Sequence, residues 1–259
     1  MVFLKDIFLV LCFSLVLSTS SFADEGFPGR AKYPDVPYIS LSDFYQGYME
    51  DKYLVVDARS PFEYKVIQIK GAFNVPVNSD SFYKDINELA KTTDKTIVFY
   101  CNGRRCMKSF KAAVKSKLSN ILVYDAGMFE WAQQYPEQSV LMGESPLPVD
   151  KLIPSSKLKE HFIPLAKFEE LIPQSILIDV RDLKDRRGNG LFLLADKSAP
   201  LSRPEKLEKY VNKAIAEDKI LLAYDNAGKQ VRWLQYYLEK KGVNKYYFMQ
   251  GGAKYYTYK

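Results

Sequence analysis

The feature that most constrains this chain is that its two halves carry the same four segments in the same order. Self-similarity on this scale means one supersecondary plan used twice. The first segment is a short apolar stretch leading into a helix, Tyr38 to Phe44 in the first half and Phe162 to Phe168 in the second. The second is an apolar strand ending in an acid and a base, Leu54-Val55-Val56-Asp57-Ala58-Arg59 and again Leu177-Ile178-Asp179-Val180-Arg181. The third is a strand ending in Tyr that opens a polar, glycine-containing loop, Thr96 to Gly103 against Ile220 to Gly228. The fourth runs from a last strand through a glycine turn into an aromatic helix, Val123 to Trp131 against Phe248 to Tyr256. Spacing agrees as well: Asp57 precedes Cys101 by 44 positions, and Asp179 precedes Asp225 by 46.

Short, buried-looking strands separated by amphipathic helices predict an α/β fold, with a parallel sheet flanked by helices in each half and sites at the carboxyl ends of the strands. After the third segment, Phe110, Ala113, Val114 and Leu118 recur at helical spacing, as do Val231, Leu234 and Leu238 before Gly242. An apolar content of 47% over 259 residues suffices for two packed cores. Between the halves, Pro136, Pro146, Pro148, Pro154 and Gly143 interrupt any periodicity, so the reading is a domain over 24–137, a linker over 138–159 and a second domain over 160–259.

The first 23 residues read as a signal peptide. Lys5 precedes an apolar run from Ile7 to Leu17, and Ser21-Phe22-Ala23 supplies small residues where a signal peptidase cuts, before Asp24. The competing reading is an uncleaved anchor, since Asp6 is unusual in such a charged region. No later segment approaches the roughly 20 apolar residues of a membrane span. The expectation is a periplasmic or secreted protein with no stable span after cleavage. Cys12 leaves with the signal, so Cys101 and Cys106 remain. The net charge of +6 is dispersed without a basic block, which argues against nucleic-acid binding and for mild attraction of anions.

A cysteine at the end of a buried strand, ahead of a helix N-terminus, faces backbone N–H groups and the positive end of the helix dipole. Arg104, Arg105 and Lys108 add positive charge beside Cys101. Together these predict a large thiolate fraction on Cys101, the form that nucleophilic sulfur chemistry needs; the competing reading is a buried, inert thiol. His161 is the only histidine, so a histidine-assisted triad or multi-histidine metal site is not expected in a monomer, and His161 is read as opening a strand. Two cysteines alone make a poor zinc site, and neither a metal nor a cofactor is expected. The tyrosines from Tyr246 to Tyr258 are read as packing.

Taken together, the segments Val55 to Tyr64, Gly71 to Pro76, Tyr100 to Gly103 and Gly127 to Trp131 resemble the rhodanese family, and the likeness extends over roughly Tyr38–Tyr135 and His161–Tyr256. The resemblance implies two rhodanese-like domains and a sulfurtransferase. Cys101 would accept sulfane sulfur from a small anionic donor such as thiosulfate and pass it, as a persulfide, to a thiol or other thiophilic acceptor. It further implies that Asn102, Gly103, Arg104, Arg105, Cys106, Met107 and Lys108 line the substrate loop, and that Asp57 and Arg59 support it.

The chain departs from the family pattern in three places. Gln68 stands where the family usually has histidine, and Cys106 stands where an arginine is common. If Lys108-Ser109 is instead aligned with the family's Arg-Ser pair, the loop is two residues longer, which predicts a wider anion cradle. Cys106 also suggests that a second thiol resolves a persulfide or sulfenate on Cys101 by forming a disulfide, which leaves a thiol-disulfide enzyme, with a periplasmic redox partner, as the alternative. In the second half the nucleophile's position is Asp225; a carboxylate cannot carry sulfane sulfur, so that domain is expected to be catalytically silent. It would cover the first site or dock a partner. A phosphoryl-accepting aspartate would need neighbouring acids to hold a metal ion. A non-catalytic binding module is the remaining class.

Overall fold

The computed structural model describes residues 26–186, 190–192 and 195–256. The expected signal segment, with Cys12, lies outside the described residues, as does Tyr258. In the first half the helices are α1 (Pro28–Lys32), α2 (Leu41–Met49), α3 (Pro61–Val66), α4 (Phe82–Ala90), α5 (Lys108–Ser116) and α6 (Met128–Gln134). The strands are β1 (Tyr38–Ile39), β2 (Tyr53–Asp57), β3 (Ile67–Ile69), β4 (Phe73–Asn74), β5 (Thr96–Tyr100), β6 (Ile121–Tyr124) and β7 (Ser139–Leu141). There follow α7 (Ser155–Glu160), β8 (Phe162–Ile163), α8 (Leu165–Leu171), β9 (Ser175–Asp179), β10 (Lys197–Ser198), α9 (Pro204–Ala216), β11 (Ile220–Tyr224), α10 (Val231–Lys240), β12 (Tyr246–Met249) and α11 (Ala253–Tyr256).

Each half builds one five-stranded parallel sheet, as the alternation of strand and helix predicts. The orders are β1-β6-β5-β2-β4 and β10-β9-β11-β12-β8, the same arrangement once the second is read from β8 back to β10. Register repeats too, for Asp57 pairs with Tyr100 and Asp179 with Tyr224. The central strands β5 and β11 are buried over their last four residues. Strands covered on both faces have to be apolar throughout, and these are.

Local chemistry sets where the helices begin. Ser40 caps α2 by accepting from the Asp43 amide. Ser60 and Glu63 form a reciprocal capping box on α3, with Pro61 in the first turn; this satisfies two otherwise orphaned N–H groups and fixes Glu63 where the strand ends. Lys117 closes α5 in the left-handed region, at φ 58°.

The stretch 138–159, expected as a linker, is packed rather than open. Ser139–Leu141 pairs antiparallel with Ile67–Ile69, and Leu147, Ile153 and Leu158 enter a core cluster that runs without a break from Phe44 and Trp131 to Trp233 and Phe248. Two of its prolines, Pro148 and Pro154, stand at the N-caps of short helices here rather than loosening the chain. His161 caps α7 just ahead of the strand it was expected to open, with its ring stacked on Tyr246 at a 3.9 Å centroid distance. Among the described tyrosines of the last segment, Tyr246 is buried while Tyr255 is exposed. No helix among the described residues is long and apolar enough to cross a membrane.

Candidate active site

Strand β5 delivers Cys101 to the carboxyl edge of the first sheet, and the loop 101–107 returns into α5. The loop is held from below by a chain of buried polar contacts. Arg59 donates to both Asp57 carboxylate oxygens, at 2.6 to 3.1 Å, and to the Ile67 carbonyl at 2.6 Å. Its remaining nitrogen, Nη1, donates to Asn102 Oδ1 at 3.2 Å. Asn102 in turn donates to Glu63 Oε1 at 2.6 Å, and Lys108 Nζ donates to Glu63 Oε2 at 3.0 Å. The start of the loop and the start of α5 are thus tied to one carboxylate. Burial opposes the charge on Glu63, but Lys108, Arg59, Asn102 and Ser60 outweigh it and hold its pKa down to about 2.

Gly127 closes the loop from the side. It has φ 84°, and a Cβ there would come within 2.3 Å of Gly103 Cα and backbone N; only glycine combines that conformation with that approach. The Met128 amide donates to the Cys101 carbonyl at 2.9 Å.

The thiolate expected on Cys101 falls on its neighbour. Cys101 is fully buried, with its sulfur 3.3 Å from the Cys106 carbonyl and 3.5 Å from Ser109 Oγ. Burial, and then the adjacent Cys106 sulfur, push its pKa well up. Cys106 is part-exposed. A hydrogen bond from the Cys101 thiol, opposed by burial and helped by Lys108 and by backbone hydrogen bonds from Lys108 and Asn102, brings Cys106 down to about 6. Two neighbouring thiols in a buried site cannot both be charged cheaply, so ionising one keeps the proton on the other. The outer sulfur, nearer the lysine, holds the charge.

The remaining expected loop residues divide between two faces. Asn102, Gly103, Arg104, Arg105 and Cys106 border a pocket of about 430 Å³, which the second half completes with Leu158, Gly228, Lys229, Arg232 and Trp233, and α6 with Phe129. Cys101 lies behind this lining. Arg104 is engaged by Glu130 at 2.9 Å. Arg232 stacks on Phe129 at 3.9 Å and donates to Ser155; among the described residues its buried Nε, like Trp233 Nε1, has no hydrogen-bond partner. Lys108 faces a second cleft of about 660 Å³, together with Arg59, Ser60, Asp182, Asp185 and Arg203. Met107 caps α5. Glu63 and Ser109 had no role assigned from the sequence, and the second half was expected to cover the site without its contributing residues being fixed. Only Glu63 had a local signal, the Ser-x-x-Glu spacing of its capping box.

In the second half the loop is built alike and filled differently. Arg181 grips Asp179 as Arg59 grips Asp57, and Arg186 adds a further contact at 2.8 Å. The Asp225 carboxylate turns inward and accepts from four backbone amides, those of Ala227 (2.8 Å), Gly228, Gln230 and Val231 (3.2 Å). A Cβ on Gly252 would meet the Asp225 carbonyl oxygen at 2.6 Å, matching the Gly127 contact. The cradle therefore holds an anion already, and that anion is part of the chain.

The model of the rhodanese-like domain family matches residues 40–134. Among curated proteins, the thiosulfate:glutathione sulfurtransferase of Saccharomyces cerevisiae is 33% identical over 88 residues, covering 30% of this chain and 63% of that protein. The tRNA uridine(34) hydroxylase of Bdellovibrio bacteriovorus is 28% identical over 89 residues, covering 34% of this chain and 25% of that protein. This chain thus spans less than two thirds of either relative. Among solved structures, a thiosulfate sulfurtransferase from Pseudomonas aeruginosa aligns over 89% of this chain and 46% of its own, with a TM-score of 0.36 and 15% identity. An As-Sb reductase from Leishmania major aligns over 48% of this chain and 97% of its own, with a TM-score of 0.35 and 20% identity. The segment 40–134 that matches the rhodanese-like domain model contains the whole Cys101 loop.

Proposed function

We propose that the protein is a sulfurtransferase in which Cys101 takes sulfane sulfur from thiosulfate or a related small anion and passes it to a thiol acceptor. The observation that carries this reading is the placement of Cys101 at the end of β5, inside the rhodanese-like segment, behind a pocket lined by Arg104, Arg105, Lys229 and Arg232. Four cations around a pocket of this size favour a doubly charged donor. The names of the relatives, a thiosulfate:glutathione sulfurtransferase above all, support the choice of donor and acceptor.

In the first step the Cys101 proton moves to the Cys106 sulfur beside it. Cys101 Sγ then attacks the outer sulfur of thiosulfate, the S–S bond of the donor breaks, and sulfite leaves with its electron pair. The second half supplies Lys229 and Arg232 to the pocket wall and no nucleophile, because Asp225 is committed to its own amides. On the N-terminal pattern alone we also propose export to the periplasm or beyond; a mature chain beginning at Asp24 is the expected N-terminal sequence, and a retained Met1 in secreted fractions counts against it.

Sulfite release on incubation with thiosulfate tests the activity. One equivalent is expected, lost in Cys101→Ala and kept in Asp225→Ala. No sulfite from wild type, together with no change of mass on any of several sulfane donors, overturns the reading.

A further inference from the structure

We infer that Cys106 is the second reacting sulfur of the loop, which attacks the sulfur-loaded Cys101, closes a Cys101–Cys106 disulfide and releases hydrosulfide. This rests on the sulfurtransferase reading and adds to it the fate of the transferred atom. Three observations carry it. Cys101 Sγ lies 3.3 Å from the Cys106 carbonyl oxygen, so the two cysteines are immediate neighbours across one loop. Cys106 stands between the basic pocket and Cys101, bordering that pocket while Cys101 is fully buried; an external acceptor meets Cys106 first. The neighbouring Cys101 thiol and then the Lys108 charge lower the Cys106 pKa to about 6 against the effect of burial, so the resident nucleophile is available near neutral pH.

The step balances without an outside atom. After sulfite departs, Cys101 carries a persulfide anion and Cys106 the proton. Cys106 Sγ attacks Cys101 Sγ, the Sγ–Sγ bond forms and the bond from Cys101 Sγ to the outer sulfur breaks. That bond's electron pair leaves with the outer sulfur, which takes up the Cys106 proton as HS⁻. The sulfane sulfur is reduced by two electrons and the two cysteines are oxidised by two. A dithiol reductant then returns the loop to its starting state by thiol-disulfide exchange.

The experiment uses the full chain, reduced, freed of reductant and kept anaerobic, with thiosulfate added in excess. Wild type is expected to release one equivalent each of sulfite and hydrosulfide and to end two hydrogens lighter, with Cys101 and Cys106 joined in the peptide map. Cys106→Ser, which also loses the proton acceptor of the loading step and is therefore read at long incubation, is expected to end one sulfur heavier, with that sulfur on Cys101, and to release at least ~10-fold less hydrosulfide per sulfite. A wild-type chain that stays persulfidated and releases no hydrosulfide overturns the inference and leaves the sulfurtransferase reading standing. Sulfur mapped to Cys106 in wild type overturns it as well. Absence of both sulfite and added sulfur in every variant sinks the sulfurtransferase reading, and this inference with it. If Cys106→Ser does not fold, the wild-type products alone decide.

Discussion

The Cys101 and Asp225 loops are nearly the same backbone device with different contents. Both follow the central strand of a five-stranded parallel sheet, both rest on an Asp-Arg pair, and both are closed by a glycine at positive φ whose missing Cβ lets two loops touch. In one, the strand ends in a thiol that is left with no charge of its own while the neighbouring Cys106 takes it. In the other, it ends in a carboxylate that consumes four amides of the same loop. The comparison teaches that the fold supplies an anion cradle, and that one side chain determines whether it serves the chain or a visitor.

The largest expected effect comes from removing the thiol proposed as nucleophile from the first loop. Cys101→Ala should lower turnover with thiosulfate by about 10³-fold or more, measured as sulfite release, whereas Asp225→Ala should leave sulfur loading intact; equal losses would erase the distinction between the loops. Next comes the plug itself. Asp225→Ala strips four amides of their partner and should destabilise the protein by about 2–3 kcal/mol, read from urea unfolding. Sulfate in the tens of millimolar should recover part of that loss by filling the vacated cradle, and no recovery would mean that the cradle cannot accept an outside anion.

Glu63 sharpens the first loop in a different way, because its charge bridges Arg59, Asn102 and Lys108. A carboxylate whose pKa is held at about 2 contributes stability that is fully present above the unfolded value of 4.5 and is lost as the pH falls from there toward 2. Wild type should therefore lose roughly 1–3 kcal/mol over that window, while Glu63→Gln should be less stable at pH 7 by a similar amount and flatter in acid. The smallest effect is a titration. Alkylation of Cys106 by iodoacetamide should rise about tenfold between pH 5 and 7, with a midpoint near 6, since only the thiolate reacts. A midpoint above 8 would return the loop to ordinary thiol behaviour.

The architecture was legible because periodicity, order and spacing are local properties that strands and helices obey. The run Leu54 to Arg59 and its echo at Leu177 to Arg181 announced a paired strand with an acid-base end, and the two strand orders match. The site was legible only in part. The charges near Cys101 were visible, but their pairing was not: Lys108 goes to Glu63 and Arg104 to Glu130, so the field that the loop's composition suggested for Cys101 is largely spent elsewhere. Which of two thiols keeps the proton depends on burial, which sequence spacing does not report. Likewise, Lys229, Arg232 and Trp233 border the pocket because the second half packs on the first, and a basic helix start reads the same in sequence whether it faces solvent or a neighbouring loop. The prolines of 138–159 have the same composition in an open tether and in a packed crossing; burial of Leu147, Ile153 and Leu158 separates the two.

That packed crossing has a thermodynamic consequence. Counted by sheets the molecule is two bodies, but its largest apolar cluster takes in Phe44, Trp131, Ile153, Trp233 and Phe248 together. Opening either half exposes part of the surface that holds the other, so neither has an independent melting temperature. The expected calorimetric trace is a single cooperative peak, with a van't Hoff enthalpy matching the calorimetric one. Proteolysis at 138–159 should then track global unfolding and not release a folded first half.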